Sequence, residues 1–390
     1  MLQGEGIVPL GVRAVVFCNR LAGFWLPIPV SPWHRLFLFV FECLVILINA
    51  ATLVVQIIKL YHVQNFVIFL IWIGALLKYS YTVILSIYLL ISKKNIEQIF
   101  KDAQGILKNK HFYYYQVSLL NRTSKRIVIY LTIPFLCFIA LQICSITFTN
   151  SIMKISTTTN VTTDQDKFIK AMFLNNGTFF DQALIILTLI SNILSQFKSI
   201  AVDAMFLGLL YFVSEQLNVL KITLRDAMTV TGKVSSFKRT DLQTWLNFQS
   251  RIARLTNKIN ATWSFVVVLV FICTTLITCF LSYVMVKLPQ LGIVTYISLA
   301  YWLLSLLPIF LYCHAGHRLR IKGEEITEAA CRGPWMQMNS ALVPGVHLIA
   351  LDCSRSFVAR GGPFFTLSLE FFASVMGAVL TYLVVLLQVV

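Results

Sequence analysis

Six residues near the end of the chain, Glu370, Ser374, Gly377, Thr381, Val385 and Gln388, recur at steps of three or four. That spacing puts them on one stripe of a helix. Their neighbours are Phe, Leu, Val and Met, so the rest of the helix suits lipid or other helices. An unsatisfied polar group in hydrocarbon is costly, so such a stripe must face protein or water. Two chemistries meet that demand. Small residues let helix backbones approach, with hydroxyls bonding across the contact. Alternatively, a few polar side chains keep water in a pore that apolar rings close by dewetting. Residue types alone do not separate the two. One chain has no room for an axial pore built from its last helix, so the second account requires several subunits around an axis.

Little else in the sequence offers site chemistry. Six histidines are dispersed, and there is no HExxH, no Gly-rich phosphate loop and no CxxC or Cys/His cluster with metal spacing. Of nine cysteines, Cys43, Cys137, Cys144, Cys273 and Cys279 lie inside apolar runs and read as small buried hydrophobes. No cofactor, metal or enzyme activity is expected. Lys78, Lys198 and Asp203 lie within apolar runs, where charge is expensive. Lys198 and Asp203 are five apart, a poor spacing for a helical pair, and neither lysine is assigned a role. No internal repeat of the kind that builds transporters is evident.

The elements that carry these residues follow from composition. The 390 residues are 58% hydrophobic and 12% charged, against about a quarter charged in soluble domains. Lipid is the expected solvent. A bilayer core needs roughly 20 apolar residues per helix, and seven windows qualify: Leu36–Ile58, Phe66–Ile91, Ile127–Phe148, Ala183–Phe212, Ala261–Val286, Gly292–Cys313 and Phe364–Val390. The fourth is expected to project beyond the membrane as a continuing helix. The first 35 residues carry no cleavable signal pattern, so the first window is expected to do the targeting.

Cations retained in the cytosol set the orientation. The N-terminal segment and the second, fourth and sixth connections carry 25 Lys and Arg, and the alternate connections carry five. The N-terminus is therefore cytosolic and the C-terminus extracellular. Two sequons, Asn160 and Asn176, fall in the outer connection after the third window and are the glycosylation candidates, whereas Asn121 and Asn260 fall on the cytosolic side and should be bare. A rhodopsin-like receptor needs the opposite orientation, and neither Asp-Arg-Tyr after the third window nor Asn-Pro-x-x-Tyr in the seventh is present.

The ending Thr381-Tyr382-Leu383-Val384-Val385-Leu386-Leu387-Gln388 resembles the Thr-Tyr-(five apolar)-Gln signature of the insect chemoreceptor superfamily. Phe364-Phe365-Thr366-Leu367-Ser368-Leu369-Glu370-Phe371-Phe372 is similar to the Phe-x-x-Leu-Ser-Leu-Glu-x-Phe stretch of odorant receptors. Arg20-Leu21-Ala22-Gly23-Phe24-Trp25 resembles their Arg-Leu-x-Gly-x-Trp, and Cys313, the helix around Glu324–Ala330 and Trp335 are further hints. The motifs lie mainly in the last 80 residues, while length, seven helices and inverted orientation agree over the whole chain.

The resemblance implies an all-α membrane protein with the seven-helix channel fold of insect odorant and gustatory receptors. It implies a multi-pass subunit in the plasma membrane of sensory neurons, assembling with odorant co-receptor subunits into a heterotetrameric, odorant-gated, non-selective cation channel. A homotetrameric tastant-gated gustatory receptor is the alternative. Residues 1–321 would form the bundle of helices one to six, 322–363 a cytosolic anchor for subunit contacts, and 364–390 the pore-lining seventh helix. Val385 and Val389 would stand at the hydrophobic gate with Gln388 beside them, and Ser374, Gly377 and Thr381 would line the pore. A small volatile ligand would bind in the outer half of the bundle. There depth and face single out Trp72, Leu76 and Tyr79 in the second window, Phe138, Gln142 and Ser145 in the third, and Tyr296 and Trp302 in the sixth.

Overall fold

The computed structural model describes residues 32–61, 66–107, 179–229, 239–287, 293–332 and 343–389, together with Leu136, Cys137 and Ala140. The third window, and with it Phe138, Gln142, Ser145 and both glycosylation candidates Asn160 and Asn176, lies outside the described residues apart from those three positions.

The helices are α1 (Pro32–Tyr61), α2 (Phe66–Leu107), α3 (Phe179–Thr229), α4 (Arg239–Lys287), α5 (Ile293–Cys331), α6 (Val343–Ser356) and α7 (Leu369–Val389). α3, α4 and α5 carry the fourth, fifth and sixth windows. Five of the described helices, α1 to α5, are long and apolar enough to cross a membrane, and α7 has an apolar stretch from Leu369 to Val385. The 51 residues of α3 and 49 of α4 reach over 70 Å at about 1.5 Å per residue, more than twice the hydrocarbon thickness. Both continue well into the cytosol, as expected for the fourth window. The polar ends of α2, α4 and α5 do the same, so the core is a membrane bundle continuous with a cytosolic one.

One cluster of buried side chains runs the length of both parts, from Leu85 and Phe206 in the membrane to Leu224, Leu242 and Ile349 beneath it. Many hydroxyls inside it are answered locally. Thr82, Ser86, Thr188, Thr256, Thr278 and Ser282 each donate to the carbonyl four residues back, the usual way Ser and Thr ride in an apolar helix.

The last helix starts later than hydropathy suggests. Phe364–Val390 reads as one apolar window, yet α7 begins at Leu369. The preceding residues form an antiparallel pair, β1 (Arg360–Gly361) with β2 (Phe365–Thr366), in which Arg360 faces Thr366 and Gly361 faces Phe365. Gly362 takes the turn with φ of 62°, a left-handed conformation open to glycine. Hydropathy counts Phe364 and Phe365 toward the span, whereas the Gly-Gly-Pro turn turns the chain back and sets Phe365 against Phe371 with ring centroids 4.3 Å apart.

Candidate functional site

The two faces of α7 have different fates. Phe371, Phe372, Val375, Val379 and Leu383 turn toward the chain's own bundle, with Val379 fully buried. Glu370, Ser374, Gly377, Thr381, Val385 and Gln388 are all exposed. A Cβ placed on Gly377 would meet nothing within 4 Å. The hydroxyls of Ser374 and Thr381 donate to Glu370 O and Gly377 O, at 3.0 and 2.9 Å, which hides them from hydrocarbon but pairs them with no other helix. Packing against the described residues therefore does not explain the stripe. Val389 belongs to the same helix, although its side chain is not described.

Inside the bundle, polar groups converge at matched depths. Asn49, Lys78 and Asn192 lie 12 or 13 residues from the outer ends of α1, α2 and α3, roughly 18–20 Å down. Lys78 Nζ donates to Asn192 Oδ1 at 2.7 Å, and Ser191 Oγ to Asn49 Oδ1 at 2.9 Å. Tyr79 is 2% exposed, with its hydroxyl 3.5 Å from Thr188 O, too long for a strong bond. Leu76 and Trp72 lie about one and two turns nearer the outer face than Tyr79, both half-buried. Between α4 and α5, Trp302 Nε1 donates to Ser282 Oγ at 2.6 Å, and the Thr278 and Ser305 hydroxyls are 3.1 Å apart.

Of the expected ligand-facing residues, Tyr79 and Trp302 stand in these two clusters. Tyr296 does not: it is 74% exposed near the start of α5. Depth placed it in the outer half, but its helical face points outward.

Deeper, Lys198 Nζ meets Glu42 Oε1 at 3.1 Å with side-chain exposures of 2% and 8%. Asp203 instead accepts from Tyr312 at 2.7 Å. The two residues considered as a poor helical pair thus each find a partner on another helix. Neither contact has a sequence signal, because the partners lie 156 and 109 positions away.

On the cytosolic side, contacts between α3 and α5 continue. Arg318 pairs with Glu215 and sits over the Tyr211 ring, and Tyr211 bonds His314 Nδ1 at 3.2 Å. Beyond them Glu325 lies between Lys221 and Lys322, at 2.9 and 2.7 Å. Burial pushes the Glu325 carboxyl up, but the two ammonium groups outweigh it and hold it below the ordinary carboxylate range. Asn260, expected to stay unglycosylated, spends its amide on the chain itself, donating to Val358 O at 2.8 Å and accepting from Arg360 N at 3.3 Å. Among the described residues no three His, Cys, Asp or Glu gather as a metal site.

The family model described as 7tm Odorant receptor matches residues 60–380. The chain belongs to the odorant-receptor family. This is a family of multi-pass membrane receptors, not of enzymes. Among curated proteins, the receptor is 29% identical over 159 residues to the odorant receptor coreceptors of Ooceraea biroi and Aedes aegypti, covering 41% of this chain and 33% of theirs. The match thus spans a third of the co-receptors' length.

Among solved structures, the receptor resembles the insect olfactory receptor OR5 from Machilis hrabei, in complex with eugenol and in a second structure. The TM-scores are 0.81 and 0.79, at 18% identity, covering 97% of this chain and 98% of that one. At that identity the likeness establishes the fold, and the fold is the seven-helix one read from the sequence.

Proposed function

We propose that the receptor is a ligand-tuned odorant receptor and one subunit of an odorant-gated, non-selective cation channel. In this reading α7 lines a central pore shared by four subunits, some of them odorant co-receptor. The carrying observation is that Ser374, Gly377, Thr381, Val385 and Gln388 are all exposed, while the bundle holds α7 through Phe371, Phe372, Val375, Val379 and Leu383. A polar stripe turned out of its own chain, in a helix long enough for most of a bilayer, needs water or other subunits beside it. A pore provides both.

Val385, with Val389 one turn on, forms the apolar ring that closes the path, and Gln388 keeps water beside it. The volatile ligand binds in the outer half of the bundle against Trp72, Leu76, Tyr79 and Trp302. Subunits join through the cytosolic segment 322–363, in which Leu348 and Leu351 of α6 present exposed apolar side chains. The receptor works in the plasma membrane of sensory neurons, where Asn160 and Asn176 carry glycans on the outer face. The gustatory alternative is set aside, because the matched family is that of odorant receptors.

Whole-cell recording against a chemically broad odorant panel tests the proposal. Current is expected when the receptor and a co-receptor are expressed together and not with either alone. Surface-expressed receptor that passes no current in any combination contradicts it.

A further inference from the structure

We infer that the hairpin Arg360–Thr366 is a latch that couples α4 and α5 to the base of α7, with Asn260 and Phe271 as its positioning residues. The inference rests on the reading of α7 as the pore helix and adds how its movement is driven.

After α6 the chain could have reached α7 as a simple linker. Instead it is gripped from two sides. On α4, the Asn260 amide holds one carbonyl and one N–H two residues apart, Val358 O and Arg360 N. A carboxamide can donate to one and accept from the other at once. Eleven residues further along α4, three turns and so on the same face, the Phe271 ring lies 5.0 Å from Phe365 and 5.3 Å from Phe371. Phe365 belongs to the hairpin and Phe371 to the first turn of α7, and their rings stack within 11° of parallel. One face of α4 therefore holds the hairpin and the pore helix as a unit.

On α5, Gly316 lets the backbone joining the hairpin to α7 lie directly on the helix. A Cβ at that position would fall 2.5 Å from both Cβ and O of Leu367. Leu367 N in turn donates to Ala359 O at 2.9 Å, closing the hairpin's base. One turn and a half nearer the membrane, Phe310 meets Phe372 edge to face at 5.5 Å. The inward face of α7 is thus fixed at Phe371 by α4 and at Phe372 by α5, while its outward stripe stays unengaged.

The same two helices are joined in the outer half by Trp302 to Ser282 and Thr278 to Ser305. A ligand that shifts α4 against α5 at that level has a close-packed route to the foot of α7, with no flexible linker in it. Close-packed elements pass on displacement rather than absorb it.

Co-expression with a co-receptor tests the latch, using the most effective volatile from a panel of alcohols, aldehydes, esters and phenols. Asn260→Asp keeps the acceptor for Arg360 N–H and loses the donor to Val358 O. Phe271→Leu keeps apolar volume and loses the ring stack. Asn257→Ala, exposed on α4, is the control. Both latch variants are expected at wild-type surface amount, with maximal current per surface receptor down roughly fivefold or more, the lower end of ordinary couplings between sites. The concentration for half-maximal response should move far less, and Phe271→Tyr should restore the maximum. Wild-type maximal currents from both variants would overturn the latch while leaving the channel reading intact. Retention of Asn260→Asp inside the cell would assign that residue to folding and also overturn it. A silent unsubstituted receptor would remove the channel reading and the latch together.

Discussion

α3 and α7 both carry polar residues through the membrane, and they dispose of them in opposite ways. α3 buries Ser191, Lys198 and Asp203 and answers each from another helix of the same chain: Asn49, Glu42 and Tyr312. α7 exposes Glu370, Ser374, Thr381 and Gln388 and answers two of them only with its own backbone. The membrane charges both helices the same cost for polarity. α3 meets it inside one subunit, where it fixes the packing of the bundle. α7 leaves it to whatever lies beside the chain, which is what a helix shared between subunits around water requires. Polarity in a membrane helix is thus structural or functional according to which way it turns.

Substitutions that separate the two helices sharpen this contrast. Lys198→Met should have the largest effect, because it leaves the Glu42 carboxylate buried without its cation, a change worth about 3–5 kcal/mol. Loss of surface receptor, measured by biotinylation, is expected, with partial recovery in the double variant Glu42→Leu, Lys198→Met. Tyr312→Phe removes the hydroxyl that Asp203 accepts from and should cost about 1–3 kcal/mol, read as a lower melting temperature in detergent.

Glu325 gives a smaller effect with a defined sign. Its folded carboxyl is held below the unfolded value of 4.5. A depressed carboxylate stabilises at pH above its unfolded pKa and loses that contribution as pH falls through the folded pKa. Acidification from neutrality through the carboxylate range should therefore destabilise the receptor, and Glu325→Gln should flatten the loss by up to about 1 kcal/mol, as suits a partly exposed pair. Gln388→Ala should change stability least, within about 0.5 kcal/mol, since Gln388 is exposed in its own subunit. It should still alter ion selectivity or open conductance. An unchanged current would mean that the stripe only packs between subunits.

The sequence carries some of this and not the rest, for identifiable reasons. The stripe was readable because a helix repeats every 3.6 residues, so spacing alone places Glu370 and Gln388 on one side. Which side faced out was not, because that depends on the apolar partners Phe271 and Phe310, which lie 100 residues before Phe371 and 62 residues before Phe372 respectively. The start of α7 was misjudged by five residues because hydropathy does not distinguish a phenylalanine in lipid from one stacked in a hairpin. Lys198 and Asp203 looked unmatched because the eye compares near neighbours, whereas buried charge is paired across helices. Asn260 read only as a sequon, and its double hydrogen bond to residues 358 and 360 has no local signature.

Cysteine accessibility along α7 most directly tests the proposal that its outward stripe lines a pore. Single cysteines at Ser374, Thr381 and Gln388, and at Val375 and Val379 on the opposite face, would be exposed to a charged, membrane-impermeant thiol reagent during odorant-evoked current, with the unsubstituted receptor as reference. Irreversible block is expected at the first three positions and none at the other two. Block at Val375 and Val379 with none on the stripe would mean that water lies on the other side of α7, contradicting the account.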